Sequence, residues 1–212
     1  MERDKQTRKA AWILAAIAGI EGAWVILNAA TSGAAFWRYI GFAPTPSGDL
    51  AGWVLAAIVA AIFVGISLRL PSVRANLFRP SLLKVLGLLV AVSAGILEEA
   101  IFRKWLMDAV QTRGYGDAVQ VAISAATFGA AHGVWGLFGR SARAAIGATV
   151  ATGLLGGTLA IVYLVSGRSV APCIAAHTLI NALIEPGLVL AAVRGEMGRG
   201  RKPSGNVDAA ND

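Results

Sequence analysis

The chain predicts an all-α fold, a polytopic transmembrane helical bundle of about six spans, on three observations. Hydrophobic residues fill 56% of its 212 positions and charged residues only 15%, with a mean hydropathy of +0.64. Soluble domains carry roughly 25% charged residues. Apolar stretches near or above the ~18–20 residues that a helix needs to cross a bilayer recur along the whole length. Between them fall most of the Lys and Arg residues, in short polar segments of the kind that orient membrane helices.

A basic tail, residues 1–9 with Arg3, Lys5, Arg8 and Lys9, leads into the first span at 10–30. That stretch is too long for the apolar region of a signal peptide, carries Glu21 and lacks a convincing cleavage site, so it reads as a retained helix. Trp37, Tyr39 and Trp53 flank the following loop as interfacial anchors do, and Pro44 and Pro46 mark the loop itself. The second span covers 50–68. The third, 82–97, runs directly into the adjacent acids Glu98 and Glu99. The turn signal Gly114-Tyr115-Gly116 separates it from a fourth span at 118–138. A fifth span follows at 144–166 and a sixth at 170–193. The small-xxx-small pairs Gly129/Gly133 and Gly153/Gly157 predict close helix approach in the fourth and fifth spans. Residues 10–193 read as one domain without internal repeats, and the polar tail 194–212 is predicted to be disordered.

Orientation follows from the basic residues. With the N-terminus cytoplasmic, the inside set is the four tail residues, then Arg69, Arg74, Arg79 and Lys84, then Arg140 and Arg143, then Arg194, Arg199, Arg201 and Lys202, or 14 of 19. Both termini are therefore predicted to be cytoplasmic. The net charge of +7 is that of loops meeting anionic lipid headgroups, and no nucleic-acid partner is expected. A lone Cys173 excludes an internal disulfide.

An adjacent pair of carboxylates at membrane depth demands a reason, because a mid-membrane charge costs roughly 2.5–3.5 kcal/mol and such residues are functional-site candidates by default. Three motifs could work together: Glu98-Glu99-x-x-x-Arg103, Phe128-x-x-x-His132 and His177-x-x-x-Asn181. They contain both histidines of the chain. Residues four apart share a helix face, so His177 and Asn181 project together, Phe128 stacks one turn before His132, and Arg103 reaches back to Glu99. Glu98 and Glu99 point about 100° apart. Arg103 neutralises Glu99 in this reading and leaves Glu98 the freer carboxylate. Glu98 and His132 each lie 17 positions from Tyr115, so in an antiparallel hairpin both sit about 25 Å from the turn.

The residue types suit hydrolysis. A desolvated carboxylate serves as general base and a nearby imidazole shares its water. His177 and Asn181 supply donors to a developing oxyanion. Phe128 reads as packing that walls the site, and Glu99 with Arg103 as a supporting ion pair. Glu21 reads as an isolated buried acid that supports a pocket or pairs with a basic neighbour. Glu185, on the face of His177 and Asn181, either extends the polar cavity or approaches the interface before Pro186. Cys173 lies four before His177 but reads as a small hydrophobe rather than a nucleophile.

In this order and within membrane spans, the motifs resemble those of the CPBP family, the CAAX proteases and bacteriocin-processing enzymes, which includes Abi-like proteins and the type II CAAX prenyl endopeptidases. The similarity covers about 82–193. It implies a helical bundle enclosing the site, with Glu98 and His132 activating water, His177 and Asn181 forming an oxyanion hole, and Glu99 and Arg103 in support. The implied activity is intramembrane endopeptidase, acting in the lipid bilayer on a peptide or membrane-protein substrate, with prenylated C-terminal peptides among the options. The expected location is a bacterial or archaeal cytoplasmic membrane. No cofactor is expected. The alternative is zinc held by Glu98, His132 and His177 as a His₂Glu set, although these residues lack the compact H-E-x-x-H arrangement and leave Asn181 without a first-shell role. A non-catalytic immunity or scaffold protein is the competing class, in which the polar cluster orders the bundle. A transporter fits less well, for want of an inverted repeat.

Overall fold

The computed structural model describes residues 2–44, 47–135 and 142–198. Every regular element among them is helical. Helix α1, Glu2–Ser32, ends where Gly33 takes φ 50°, a left-handed conformation open to glycine, and the chain turns into the short α2, Ala34–Tyr39. Helix α3 is Leu50–Ser67. Helix α4, Pro71–Asn76, starts on Pro71, whose missing N–H costs nothing in a first turn. Helix α5, Leu82–Glu99, is capped by Ser81, which accepts from Lys84 N at 3.1 Å. A π-helical turn, Ala100–Trp105, joins it to α6, Leu106–Gln111. Helices α7, Asp117–His132, and α8, Ala142–Val165, follow; α9, Ala171–Ile184, and α10, Gly187–Val193, complete the set.

Among the described residues four helices are long and apolar enough to cross a membrane: α1, α3, the continuous 30-residue run Leu82–Gln111, and α8. The pair α9 and α10 makes a fifth if it is one span, bent by 59°. Pro186 is the reason for that bend: it disfavours helical backbone at the residue before it, and Glu185 is extended at ψ 146°. Of the six stretches expected from sequence, the fourth differs most. Helix α7 has 16 residues, short of a full crossing, and the end expected at 138 lies outside the described residues. So do Pro46, Arg140 and the tail from 199 onward. Just before it Glu196 is docked, its carboxylate accepting from Ser72 N at 3.1 Å and Ser72 Oγ at 2.6 Å.

Apolar packing forms two clusters. One joins α2, α3, α8 and α9 through residues such as Phe36, Ala60, Leu159, Tyr163 and Ile180; the other joins α1, α5 and α10 through Leu14, Val90, Ala94 and Leu190. Helix α5 passes from one to the other just before Glu98, because Val90 and Ala94 belong to the second cluster and Ile96 to the first. Outward faces stay apolar, with Trp12, Ile20, Ile26 and Leu154 exposed, as a hydrocarbon solvent permits.

Close helix approach fixes the site's frame. A Cβ on Gly129 of α7 would stand 3.0 Å from Gly153 Cα of α8, so each glycine of the facing pair permits the other's backbone to approach. Gly153/Gly157 follows the packing expectation, with Gly157 against Ala125. Gly95 of α5 plays the same part against Thr178 of α9, into whose Oγ1 a Cβ would collide. Thr178 follows His177 directly, so this contact draws α9 onto the acidic pair.

Candidate active site

The third apolar stretch does not stop at the acids. Residues 98–105 contain neither Gly nor Pro, so nothing interrupts the backbone ladder and the helix runs on through the π-turn. Such turns shift the hydrogen-bond register and gather at functional sites. The carbonyl of Phe102 accepts from Ser124 Oγ of α7 at 3.2 Å, which ties the π-turn to that helix.

Arg103, in the π-turn, folds back on Glu99 with Nε 2.9 Å from Oε2, and both side chains are fully buried. The contact is an ion pair without hydrogen-bond alignment, and Arg103 Nη1 has no hydrogen-bond partner. Its Nη2 donates weakly to Gly156 O at 3.4 Å, and its guanidinium carbon lies 4.4 Å from the centre of the Phe128 ring. The other oxygen of Glu99 accepts from His177 Nδ1 at 2.7 Å. One buried acid thus joins the π-turn to α9 and orients an imidazole.

Glu98 points elsewhere, as the 100° step predicts. Its Oε2 lies 3.7 Å from His132 Nε2 and 3.9 Å from His177 Nε2. That oxygen has no hydrogen-bond partner. The side chains of Glu98 and His132 are each 19% exposed, against 3% for His177, while Glu98 Oε2 itself is buried. His132 Nδ1 is 2.9 Å from Phe128 O. A carbonyl only accepts, so Nδ1 carries a proton and Nε2 is the ring nitrogen that faces Glu98.

Phe128 is the hub of the cluster. Its ring centre lies 4.5 Å from that of His132, 5.8 Å from His177 and 5.1 Å from Phe102. Gly156 makes room for it: a Cβ there would stand 2.9 Å from Phe128 Cβ.

The helices therefore bring Glu98, Glu99, Arg103, Phe128, His132 and His177 into one cluster. Asn181 lies one turn beyond His177 on α9, half-buried, with its backbone carbonyl accepting from Glu185 N at 2.9 Å. Glu185 does not extend the cavity: its Oε2 accepts from Val189 N at 3.2 Å and caps α10. Lys84 closes the end of α9, donating to Ala182 O at 2.5 Å, Glu185 O at 2.7 Å and Leu183 O at 3.3 Å. Cys173 is fully buried with Sγ 3.3 Å from Leu159 O, directed at α8. Among the described residues no group of three or more His, Cys, Asp or Glu has the arrangement of a metal site.

Sequence reasoning gave Glu21 no part in the site. It accepts from Ser93 Oγ of α5 at 3.1 Å and lies within electrostatic reach of Glu98 and His177. The available signal was the acid itself, in the middle of an apolar span. Ser124 and Gly156, polar and small residues on neighbouring helices, carried no signal at all.

Residues 80–183, just under half of the chain, match the family model described as type II CAAX prenyl endopeptidase Rce1-like. No curated protein and no solved structure matches. The matched stretch starts at the foot of α5 and ends on α9, and it holds all three motifs. A family of this kind implies a protease acting on peptides, and the apolar helices make the protein an integral membrane protein. The stretch 80–183, with Glu98, His132, His177 and Asn181 inside it, is therefore similar to the Rce1-like type II CAAX prenyl endopeptidases.

Proposed function

We propose that this protein is an intramembrane endopeptidase that hydrolyses a peptide bond with a water activated by Glu98 and His132. One observation carries the reading. Glu98 Oε2 and His132 Nε2, an acceptor when the ring is neutral, lie 3.7 Å apart. The separation is too long for a direct bond and suits a shared donor, the two O–H groups of one water. In the reaction Glu98 takes a proton from that water while His132 orients it. The oxygen attacks the scissile carbonyl, and the oxyanion that forms is met by the Asn181 carboxamide and His177 Nε2–H. Because His177 Nδ1 already donates to Glu99, donation from Nε2 uses the doubly protonated ring. Glu98 then passes its proton to the leaving nitrogen as the C–N bond breaks.

The substrate is a peptide or membrane protein, with prenylated C-terminal peptides one candidate class. Positive-inside counting supports cytoplasmic termini, and a bacterial or archaeal cytoplasmic membrane is the proposed location. The metal-independent mechanism is favoured over the zinc set Glu98, His132 and His177, because it gives Asn181 a role. Metal analysis of purified protein, with activity before and after chelation, separates the two. The central test compares peptide termini in membrane fractions from cells making wild type, Glu98→Gln or His132→Ala at matched levels. Removing the base or its partner should cost on the order of 10²–10⁴ in rate. Cleavage retained by both folded variants would sink the proposal and favour a non-catalytic binding role.

A further inference from the structure

We propose that Glu21 on α1 is a specificity-determining residue of this site, a carboxylate that recognises a Lys or Arg of the substrate close to the scissile bond. The inference rests on the proteolytic reading above.

Placement comes first. The residues one turn to either side of Glu21 face inward: Ile17 and Ala18 pack on one apolar cluster, Trp24 and Val25 on the other. Residues at i±3 and i±4 share a helix face, so Glu21 points into the bundle where α1 crosses from one cluster to the other. Helix α5 makes the same crossing beside Glu98. Ser93, itself buried, donates to Glu21 Oε2 at 3.1 Å and lies five residues before Glu98 on α5.

Charge gives the ligand its sign. Arg103 is committed to Glu99. Among the described residues, no Lys or Arg forms an ion pair with Glu21 or Glu98; the nearest cationic candidates are the two histidines on Glu98. Among the described residues Ser93 is the hydrogen-bond donor that meets Glu21, and Glu98 Oε2 has none. A carboxylate at membrane depth is expensive without a partner, and a cation delivered by the substrate offsets that cost while disfavouring acidic sequences. A simple tether between α1 and α5 needs only a neutral acceptor for Ser93. Glutamine would serve that purpose equally.

The experiment begins with Glu98-dependent termini, collected by mass spectrometry from membranes of cells making wild type or Glu98→Gln. One such site is then made as a peptide pair, with Lys or with Gln at its charged position, and presented in detergent micelles to wild type, Glu21→Gln and Glu21→Asp. Wild type should cut the Lys peptide at least about tenfold faster than the Gln peptide. In Glu21→Gln that ratio should fall to about one, and Glu21→Asp should restore part of it. Glu98-dependent sites without basic residues nearby, a ratio unchanged in Glu21→Gln, or equal slowing of both peptides would each overturn the assignment; the last is the signature of a tether. If Glu21→Gln does not fold, the wild-type ratio for Lys against Glu peptides decides, and a ratio near one overturns it. An absence of Glu98-dependent termini would instead remove the proteolytic reading, and this inference with it.

Discussion

Replacing Arg103 by Leu removes one half of an ion pair whose other half cannot reach solvent. Glu99 and Arg103 are both fully buried at 2.9 Å, so the appropriate scale is that of a broken buried pair, about 3–5 kcal/mol, and not the 0–1 kcal/mol of a surface pair. The guanidinium over Phe128 at 4.4 Å adds to the loss, while its 3.4 Å contact to Gly156 O adds little at that length. A control stands one residue along the helix. Lys104 pairs with Asp108 at the same i,i+4 spacing and 3.0 Å, but with side chains 29% and 33% exposed. Lys104→Met should therefore cost roughly 0.2–1 kcal/mol. Thermal unfolding in detergent reads the contrast: at about 2–4 °C per kcal/mol for a chain of this size, Arg103→Leu should lower the midpoint by about 6–20 °C and Lys104→Met by at most about 4 °C. The double variant Arg103→Leu/Glu99→Gln should regain at least half of the loss, since no uncompensated charge remains. Equal effects of the two single variants, or no recovery in the double, would refute the burial argument.

Other outcomes follow from the same geometry. Asn181→Ala should lower the cleavage rate by about 10²–10³ with little change in melting, if its carboxamide meets the oxyanion; rate measurements on purified protein check it. Gly156→Ala places a Cβ 2.9 Å from Phe128 Cβ, so it should cost about 1–3 kcal/mol by overpacking and slow cleavage by displacing the ring that both histidines touch. Lys84→Met strips three carbonyls of their donor at the end of α9 and should destabilise by about 1.5–3 kcal/mol, read as a lowered melting midpoint.

Much of the architecture was legible because it rests on local or compositional rules. Apolar length marks α1, α3 and α8, and the Gly114-Tyr115-Gly116 signal does fall between α6 and α7. The i,i+4 spacing anticipated that Arg103 meets Glu99, and equal distance from the turn anticipated that Glu98 meets His132. Two boundaries were not legible. The apolar count stopped at Leu97 because charge ended it, yet the backbone continues through the π-turn to Gln111. Hydropathy also ran across Pro186, where backbone sterics bend the path by 59°.

The sequence by itself determined the solvent, the helices and the chemical types at the site, since these depend on side-chain polarity and on spacing within one helix. Which imidazole nitrogen faces which acid was decided only by tertiary structure. The Glu99–His177 bond, the approach of His132 and His177 to one oxygen of Glu98, and the Ser93–Glu21 bond each join residues on different helices. Their distances are set by how closely backbones pack at Gly95, Gly129 and Gly156, a steric quantity that no periodicity along a single chain contains.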